Sequence, residues 1–383
     1  MKASGRRWDL FCKVVDNFGD IGICWRLARQ LVAERDACVR LWVDDLGPLA
    51  RIRPGVERER ATQDVDGVEV RHWTDGAPSA GDVPGEIVVE AFGCDPPASF
   101  VAAMAVQPRP PAWFNLEYLS AEDWVESHHL LPSPHPRLPL VKRFFFPGFT
   151  PRTGGLLREA DLLAARDAFA DDGAQQLAFE QALGIPPRRE SELRVSLFSY
   201  ANAQASALLE AWVASARPVT TLVPDGCLAT EIATWAKAPL GVGSIVERGN
   251  LRVMRVPFLP QWQYDRLLWS CDVNVVRGED SFVRAQWAAR PMVWHIYPQP
   301  DDAHWPKLEA FLRRHTAGFD AVTATATTAL FRAWNGRGDV RSVWEDAVAS
   351  IDSWRVGARD WAGTLAARSD LMSQLASEAE TLL

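Results

Sequence analysis

No run of apolar residues in this sequence of 383 approaches the roughly 18 that cross a bilayer as a helix. The opening, MKASGRRWDLF, is basic but carries no apolar stretch of the signal-peptide kind, so no export is expected. The six cysteines (Cys12, Cys24, Cys38, Cys94, Cys227 and Cys271) form no CxxC pair. They sit singly in apolar segments, which suits buried free thiols in a reducing, cytoplasmic compartment. Basic charge is in deficit. The 41 Lys and Arg against 49 Asp and Glu leave a net charge of −8, which argues against nucleic-acid binding by phosphate neutralisation. HExxH, GxxxxGKS and GxSxG are all missing, as is any internal repeat. His128, His129 and His135 lack metal-ligand spacing. Asp64-Val65-Asp66 matches a DxD in form, but it lies in a polar turn and reads as solvated.

What remains is a protein with ample core. Apolar residues make up 48% and charged residues 23%, and the length calls for two domains. The 17 tryptophans are many, enough to fill cores and still line a groove.

The stretch Trp8–Leu31 organises the reading. Leu10, Phe11, Val14 and Val15 have strand character. The chain breaks at Asp16-Asn17-Phe18-Gly19-Asp20, and Ile23, Leu27, Ala28 and Leu31 then recur at helical spacing. A strand, tight turn and helix open a doubly wound α/β domain, and such turns lie at the sheet edge that binds ligands. Gly19 and Gly22 allow close backbone approach. Asp16 and Asp20 put two carboxylates there, which suits a cationic or proton-losing partner rather than phosphate. Asp20 reads also as a helix cap.

Further strands are expected at 38–45, 68–73, 86–93 and 112–118, with helices at 97–107 and 120–131. The second of these is started by a weakened capping box of Ser120 and Asp123. Asn115 and Glu117 follow a strand and are candidates for the ligand edge. Proline and glycine gather near 146–155, where an interdomain passage is expected. One helical stretch follows over 156–183. The alternation then restarts with strands at 194–200, 219–224, 251–258, 272–276 and 292–297, helices at 205–215, 228–236, 261–270 and 282–290, and a helical last hundred residues.

The second constellation is DVNVVRGEDSFVRAQWAARPMVWHIY over 272–297. A buried strand ends at Arg277-Gly278, and Glu279, Asp280 and Ser281 open a helix. Free N–H groups at that start suit an anion. A phosphate fits the N–H groups of Asp280 and Ser281 with the Ser281 hydroxyl, and Glu279 suits sugar hydroxyls. Phe258, fixed between prolines at a strand end, suits a nucleobase platform, and Gln261 offers a donor and an acceptor to a pyrimidine edge. Tyr200 ends a strand on the same sheet edge.

FCKVVDNFGDIGICWRLARQL together with RGEDSFVRAQWAARPMVWHIYPQ resembles the EarP family of bacterial protein-arginine rhamnosyltransferases. FNLEYLSAEDWVES, FFFPGFTPRTGGLLRE and PFLPQWQYDRLLWSCD are similar to that family as well. The resemblance implies a GT-B fold, two Rossmann-like domains facing across a cleft with a helical C-terminus. It implies residues 1–152 as the acceptor side, 153–355 as the dTDP-sugar side, and 356–383 as a C-terminal helix packing back on the first domain. The implied reaction moves rhamnose from dTDP-β-L-rhamnose to one arginine of translation elongation factor P, with inversion. No metal or other cofactor, no nucleic acid and no membrane is implied. By motif, Asp16, Asp20 and Glu279 match essential acids, with Asp20 as base. Arg277, Asp280 and Ser281 match contacts near the diphosphate, Phe258 and Gln261 match thymine contacts, and Tyr200 and Tyr264 match the donor site more loosely. Asn17, Asn115 and Glu117 fall on the acceptor side. The alternative is a GT-B transferase using another nucleotide deoxysugar or a small-molecule acceptor.

Overall fold

The computed structural model describes residues 5–16, 18–74, 78 and 81–383. The chain forms two compact units: Met1–Ala160 with Ala366–Leu383, and Asp161–Leu365.

The first unit begins β1 (Arg7–Cys12), α1 (Phe18–Arg35), β2 (Cys38–Val43), α2 (Leu46–Ile52), β3 (Thr62–Val65), β4 (Val68–His72), β5 (Ile87–Ala91), α3 (Ala98–Ala105) and β6 (Ala112–Leu116). It continues α4 (Val125–His128), β7 (Pro132–Pro134) and β8 (Val141–Phe145). Its sheet has the order β3-β4-β2-β1-β5-β6-β8-β7. The central strands pair in parallel, and β3 and β7 are antiparallel edges. β1, β2, β5 and β6 are nearly continuous apolar runs, as strands covered on both faces must be. On one face Phe11, Trp42, Val88 and Trp113 pack with Phe100 and Met104 of α3.

The second unit runs α5 (Leu162–Asp171), α6 (Gly173–Ala182), β9 (Leu193–Leu197), α7 (Ala205–Ala214), β10 (Val219–Pro224), α8 (Ala229–Ala236), β11 (Ile245–Arg248) and β12 (Leu251–Val256). It goes on through α9 (Gln261–Ser270), β13 (Val273–Arg277), α10 (Asp280–Trp287), β14 (Met292–His295), α11 (His304–His315), α12 (Ala321–Trp334), α13 (Val340–Ala349) and α14 (Ile351–Ala366). The strand order is β11-β12-β10-β9-β13-β14, parallel except for the edge strand β11. The last helix, α15 (Leu371–Leu382), belongs to the first unit. There Gln30 of α1 donates Nε2–H to Asp370 Oδ1 at 3.1 Å and to the Arg158 carbonyl at 2.8 Å.

Several local expectations change. The helix expected over 120–131 shrinks to the four residues of α4. Ser120 is engaged instead in a bridge to Gly148, and its hydroxyl accepts from the Glu122 N–H rather than from a helix start. Leu130, at φ 64°, then turns its N–H to the Phe144 carbonyl, which ends the helix. Asp64 and Val65 belong to β3, and Asp66-Gly67, both at positive φ, make the two-residue hairpin to β4. Asp66 is held by Arg53 at 2.7 Å and Arg29 at 3.4 Å. β8 is not among the expected strands; it ends just before the proline- and glycine-rich stretch 146–155 and is held in register beside β6. The stretch 156–183 is two helices, because the Asp172 side chain caps α6 by accepting from the Gln175 N–H at 2.9 Å.

Candidate functional site

In the first unit β1 lies between β2 and β5, so the chain order reverses at its C-terminal end. Open α/β sheets bind ligands at that point. Asp16 and Asp20 stand there. Asp20 falls in the first turn of α1, where a carboxylate is favoured by the helix dipole. Its side chain is buried, and Oδ2 accepts from the N–H groups of Val15 and Asp16, each at 2.8 Å. The helix-cap alternative is therefore partly realised: Asp20 reaches backward and clamps the turn ahead of it. Its other oxygen, Oδ1, receives the Tyr118 hydroxyl at 3.2 Å.

Asp16 is less buried, and its carbonyl accepts from the Gly19 N–H at 2.7 Å. A Cβ on Gly19 would come within 2.7 Å of Asp16 Oδ2, so the close approach expected of this glycine is made by a carboxylate of the chain itself. Gly22 is buried within α1. Asn17 lies outside the described residues.

Tyr118 is the residue that sequence reasoning passed over. It sits two residues beyond β6, is 39% exposed, and stacks on Phe92 with centroids 4.3 Å apart and planes 14° apart. Phe92 follows β5 with φ 58°, an unfavourable conformation for a bulky side chain and one met at functional positions. The available signal was rarity: the sequence holds only four tyrosines, and this one follows a strand end. Asn115 and Glu117 share the edge. Asn115 is buried, its Oδ1 accepts from the Gly93 N–H at 2.9 Å, and its Nδ2–H reaches Glu117 Oε1 at 2.5 Å.

In the second unit the reversal lies between β9 and β13. Tyr200 follows the first strand and Arg277–Ser281 end the second. The Arg277 guanidinium lies over Tyr200 at 4.5 Å and Phe198 at 4.8 Å. Ser199 Oγ and His295 Nδ1 lie 2.7 Å apart, and burial, helped by Arg277, holds the His295 pKa down at about 4. This imidazole is therefore neutral at pH 7.

α10 starts at Asp280, two residues earlier than its apolar spacing implied. The Asp280 carboxylate turns inward and accepts from Gln261 Nε2 and Arg284 Nε, each at 3.0 Å. Arg284 also donates to Asp265 Oδ2 at 2.6 Å. A carboxylate beside an anion site would ordinarily repel the anion. Here its charge is met by a buried arginine, and the helix N–H groups at its start keep their electropositive character. Gln261 thus directs its donor to Asp280. Phe258 and Glu279 are half-buried. Tyr264 is buried beside Phe198, with centroids 5.5 Å apart, and its hydroxyl lies near Ser281; burial raises its pKa. Among the described residues no group of three or more His, Cys, Asp or Glu could hold a metal, and no helix is long and apolar enough to cross a membrane.

Comparison with known proteins sharpens this picture. The model of a family described as elongation factor P (EF-P) rhamnosyltransferase EarP matches residues 8–379. The chain is 49% identical to a protein-arginine rhamnosyltransferase of Pseudomonas putida over 377 residues, covering 98% of each. It is 47% identical to that of Pseudomonas aeruginosa over 369 residues, covering 96% of this chain and 97% of the other. A solved structure described as the basis for EarP-mediated arginine glycosylation of translation elongation factor EF-P superposes with TM-score 0.71 at 36% identity. That likeness covers 99% of this chain and 100% of the other. A glycosyltransferase from Rickettsia africae, at TM-score 0.54 and 8% identity over 99% and 98% of the two chains, shares the fold alone. The fold is that of the GT-B glycosyltransferases, and the chain belongs to the EarP family of EF-P rhamnosyltransferases.

Proposed function

We propose that this protein transfers rhamnose from dTDP-β-L-rhamnose to an arginine side chain of translation elongation factor P, inverting the anomeric centre. Family membership and identities of 47–49% to protein-arginine rhamnosyltransferases support the reaction class. The observation that carries the mechanism is the fixed carboxylate of Asp20, held by two backbone N–H groups and the Tyr118 hydroxyl.

A guanidinium has a pKa above 12, so a carboxylate does not deprotonate it ahead of reaction. The base has to orient the cation and take its proton as the C–N bond forms. A carboxylate fixed by three hydrogen bonds suits the orienting part, and Oδ1, bonded to a partly exposed hydroxyl, is the oxygen that exchanges partners. Asp16 faces the same cation, and Asn115 and Glu117 line the acceptor side. In the second unit the leaving dTDP is stabilised by Arg277, the N–H groups of Asp280 and Ser281 and the Ser281 hydroxyl, so the transfer requires no metal. Glu279 accepts from the sugar hydroxyls. Phe258 and Gln261 hold the thymine, with Tyr200 and Tyr264 shaping the same pocket.

The test is an intact mass of unmodified elongation factor P after incubation with the protein and dTDP-β-L-rhamnose. One added deoxyhexose, missing when the acceptor arginine is lysine, is the expected result. No mass shift with donor still bound by calorimetry would keep the donor site and reject this acceptor in favour of a small molecule. Asp20→Ala should abolish transfer and leave donor binding intact; lost donor binding in that variant would contradict the assignment.

A further inference from the structure

Phe92 and Tyr118 form a pair that adds little to the core of the first unit. Phe92 is half-buried and Tyr118 is 39% exposed, yet their rings stack with centroids 4.3 Å apart. The backbone is forced to make this pair. Phe92 at φ 58° is followed by Gly93 at φ 65°, and a bulky residue is uncommon in this left-handed region, where glycine or asparagine would serve. Two bonds from the end of β6 hold the turn. The Phe92 N–H donates to the Leu116 carbonyl at 2.7 Å, and the Gly93 N–H donates to Asn115 Oδ1 at 2.9 Å. Tyr118 lies two residues past Leu116, so one strand end places both rings. Strain kept at a partly exposed position, with little burial gained, points to a use.

The chemistry around the pair says what it takes. The Tyr118 hydroxyl reaches Asp20 Oδ1 at 3.2 Å, so a donor bound to that oxygen lies within reach of the ring. Carboxylates gather here: Asp16 and Asp20 in one turn, and Glu117 beside Tyr118 in the chain. They favour a cation. One face of the Tyr118 ring lies against Phe92, so the surface it shows to solvent is the opposite face and the rim. A guanidinium suits such a face, because it is planar, delocalised and weakly hydrated. It can stack on the ring while its edge N–H groups reach a carboxylate. An ammonium is a compact, strongly hydrated charge that gains less from a flat ring. Phe92, packed under Tyr118, fixes the plane of the upper ring and so the angle at which a stacked cation meets Asp20.

We propose that the Phe92–Tyr118 stack is the shelf on which the acceptor guanidinium lies, and that it selects arginine over lysine. Tyr118 touches the cation, and Phe92 is the positioning residue beneath it. The proposal rests on the reading that Asp20 meets the acceptor cation. The experiment is a saturation-transfer NMR titration of the full chain with N-acetyl-L-arginine amide and with N-acetyl-L-lysine amide, without donor or elongation factor P. The arginine compound should bind with a Kd of roughly millimolar order, about tenfold tighter than the lysine compound. Phe92→Leu and Tyr118→Leu keep apolar bulk and lose a ring. Each should weaken the arginine compound by about three- to tenfold and leave the lysine compound unchanged. Phe92→Tyr and Tyr118→Phe keep the rings and should retain the preference. With elongation factor P as acceptor, the leucine variants should raise the acceptor KM and leave the donor KM unchanged, a split that a general loss of structure does not give. Far-UV circular dichroism melts establish that the variants fold. No saturable arginine binding in the wild type overturns the shelf. Arginine binding lost in Asp20→Asn but unchanged in both leucine variants overturns the shelf and keeps the acid. Arginine binding unmoved by Asp20→Asn withdraws the acceptor reading at Asp20, and the shelf with it.

Discussion

Replacing Asp20 by asparagine and by alanine separates what this carboxylate holds from what it does. Oδ2 accepts two backbone N–H bonds at 2.8 Å, both part-buried. Asparagine keeps a carbonyl oxygen in that place, and its amide group can donate to the Tyr118 hydroxyl oxygen in place of the present bond. What is lost is charge assistance, about 1–2 kcal/mol over the two bonds. Alanine removes the acceptor and leaves both N–H groups without it, which costs about 2–5 kcal/mol. The two variants therefore differ in stability, with Asp20→Asn close to wild type in chemical denaturation and Asp20→Ala clearly weaker. In transfer they converge, because an amide takes no proton: each should fall by about 10²–10⁴ or more. Intact-mass time courses on elongation factor P read the rate. If Asp20→Asn retains transfer within a factor of ten, Asp20 is a clamp of the β1–α1 turn, and the base is another group. If the two variants are equally destabilised, the accounting of the two N–H bonds is wrong.

Tyr118→Phe keeps the stack on Phe92 and removes one long hydrogen bond to Asp20, so stability should hardly move while kcat/KM falls by up to about tenfold; an unchanged rate would take the hydroxyl out of the mechanism. Gly19→Ala places a Cβ 2.7 Å from Asp16 Oδ2, the end of a side chain that can swing away. A thermal melt should therefore change little while single-turnover transfer drops, and a wild-type rate would show that the position of Asp16 is irrelevant. His315 is buried among Phe311, Phe319 and Trp361, neither ring nitrogen has a partner among the described residues, and burial lowers its pKa from 6.5 to about 3. Because the folded state holds the imidazole neutral, its contribution is intact above pH 6.5 and is lost as pH falls from there through about 3. His315→Leu should flatten denaturation free energy against pH in that window, and an unchanged slope would locate the acid sensitivity elsewhere.

Much of the architecture was legible in the order of the residues. Strands covered on both faces are continuous apolar runs, so β1, β5, β9 and β13 announce themselves without partners. β3, β7 and β11 did not, because edge strands are short and polar and exist through the strand they lie beside. The helix over 120–131 had the right pattern, but Ser120 and Leu130 were claimed by backbone bonds to residues that lie far along the chain.

The same division runs through the site. The chain order alone put Asp16, Asp20, Arg277, Asp280 and Ser281 at strand ends, since each follows an apolar run by a few residues. Which atoms these side chains engage was decided by folding. Tyr118 reaches Asp20 across a sequence separation of 98 residues. Asp280 turns inward because Arg284 and Gln261 meet it there, at separations of four and 19 residues. Local sequence sets where a strand stops and a helix starts, because propensity and periodicity act within a few residues. The partners of a buried carboxylate come from wherever the sheet order brings donors together, and that order is a property of the whole chain.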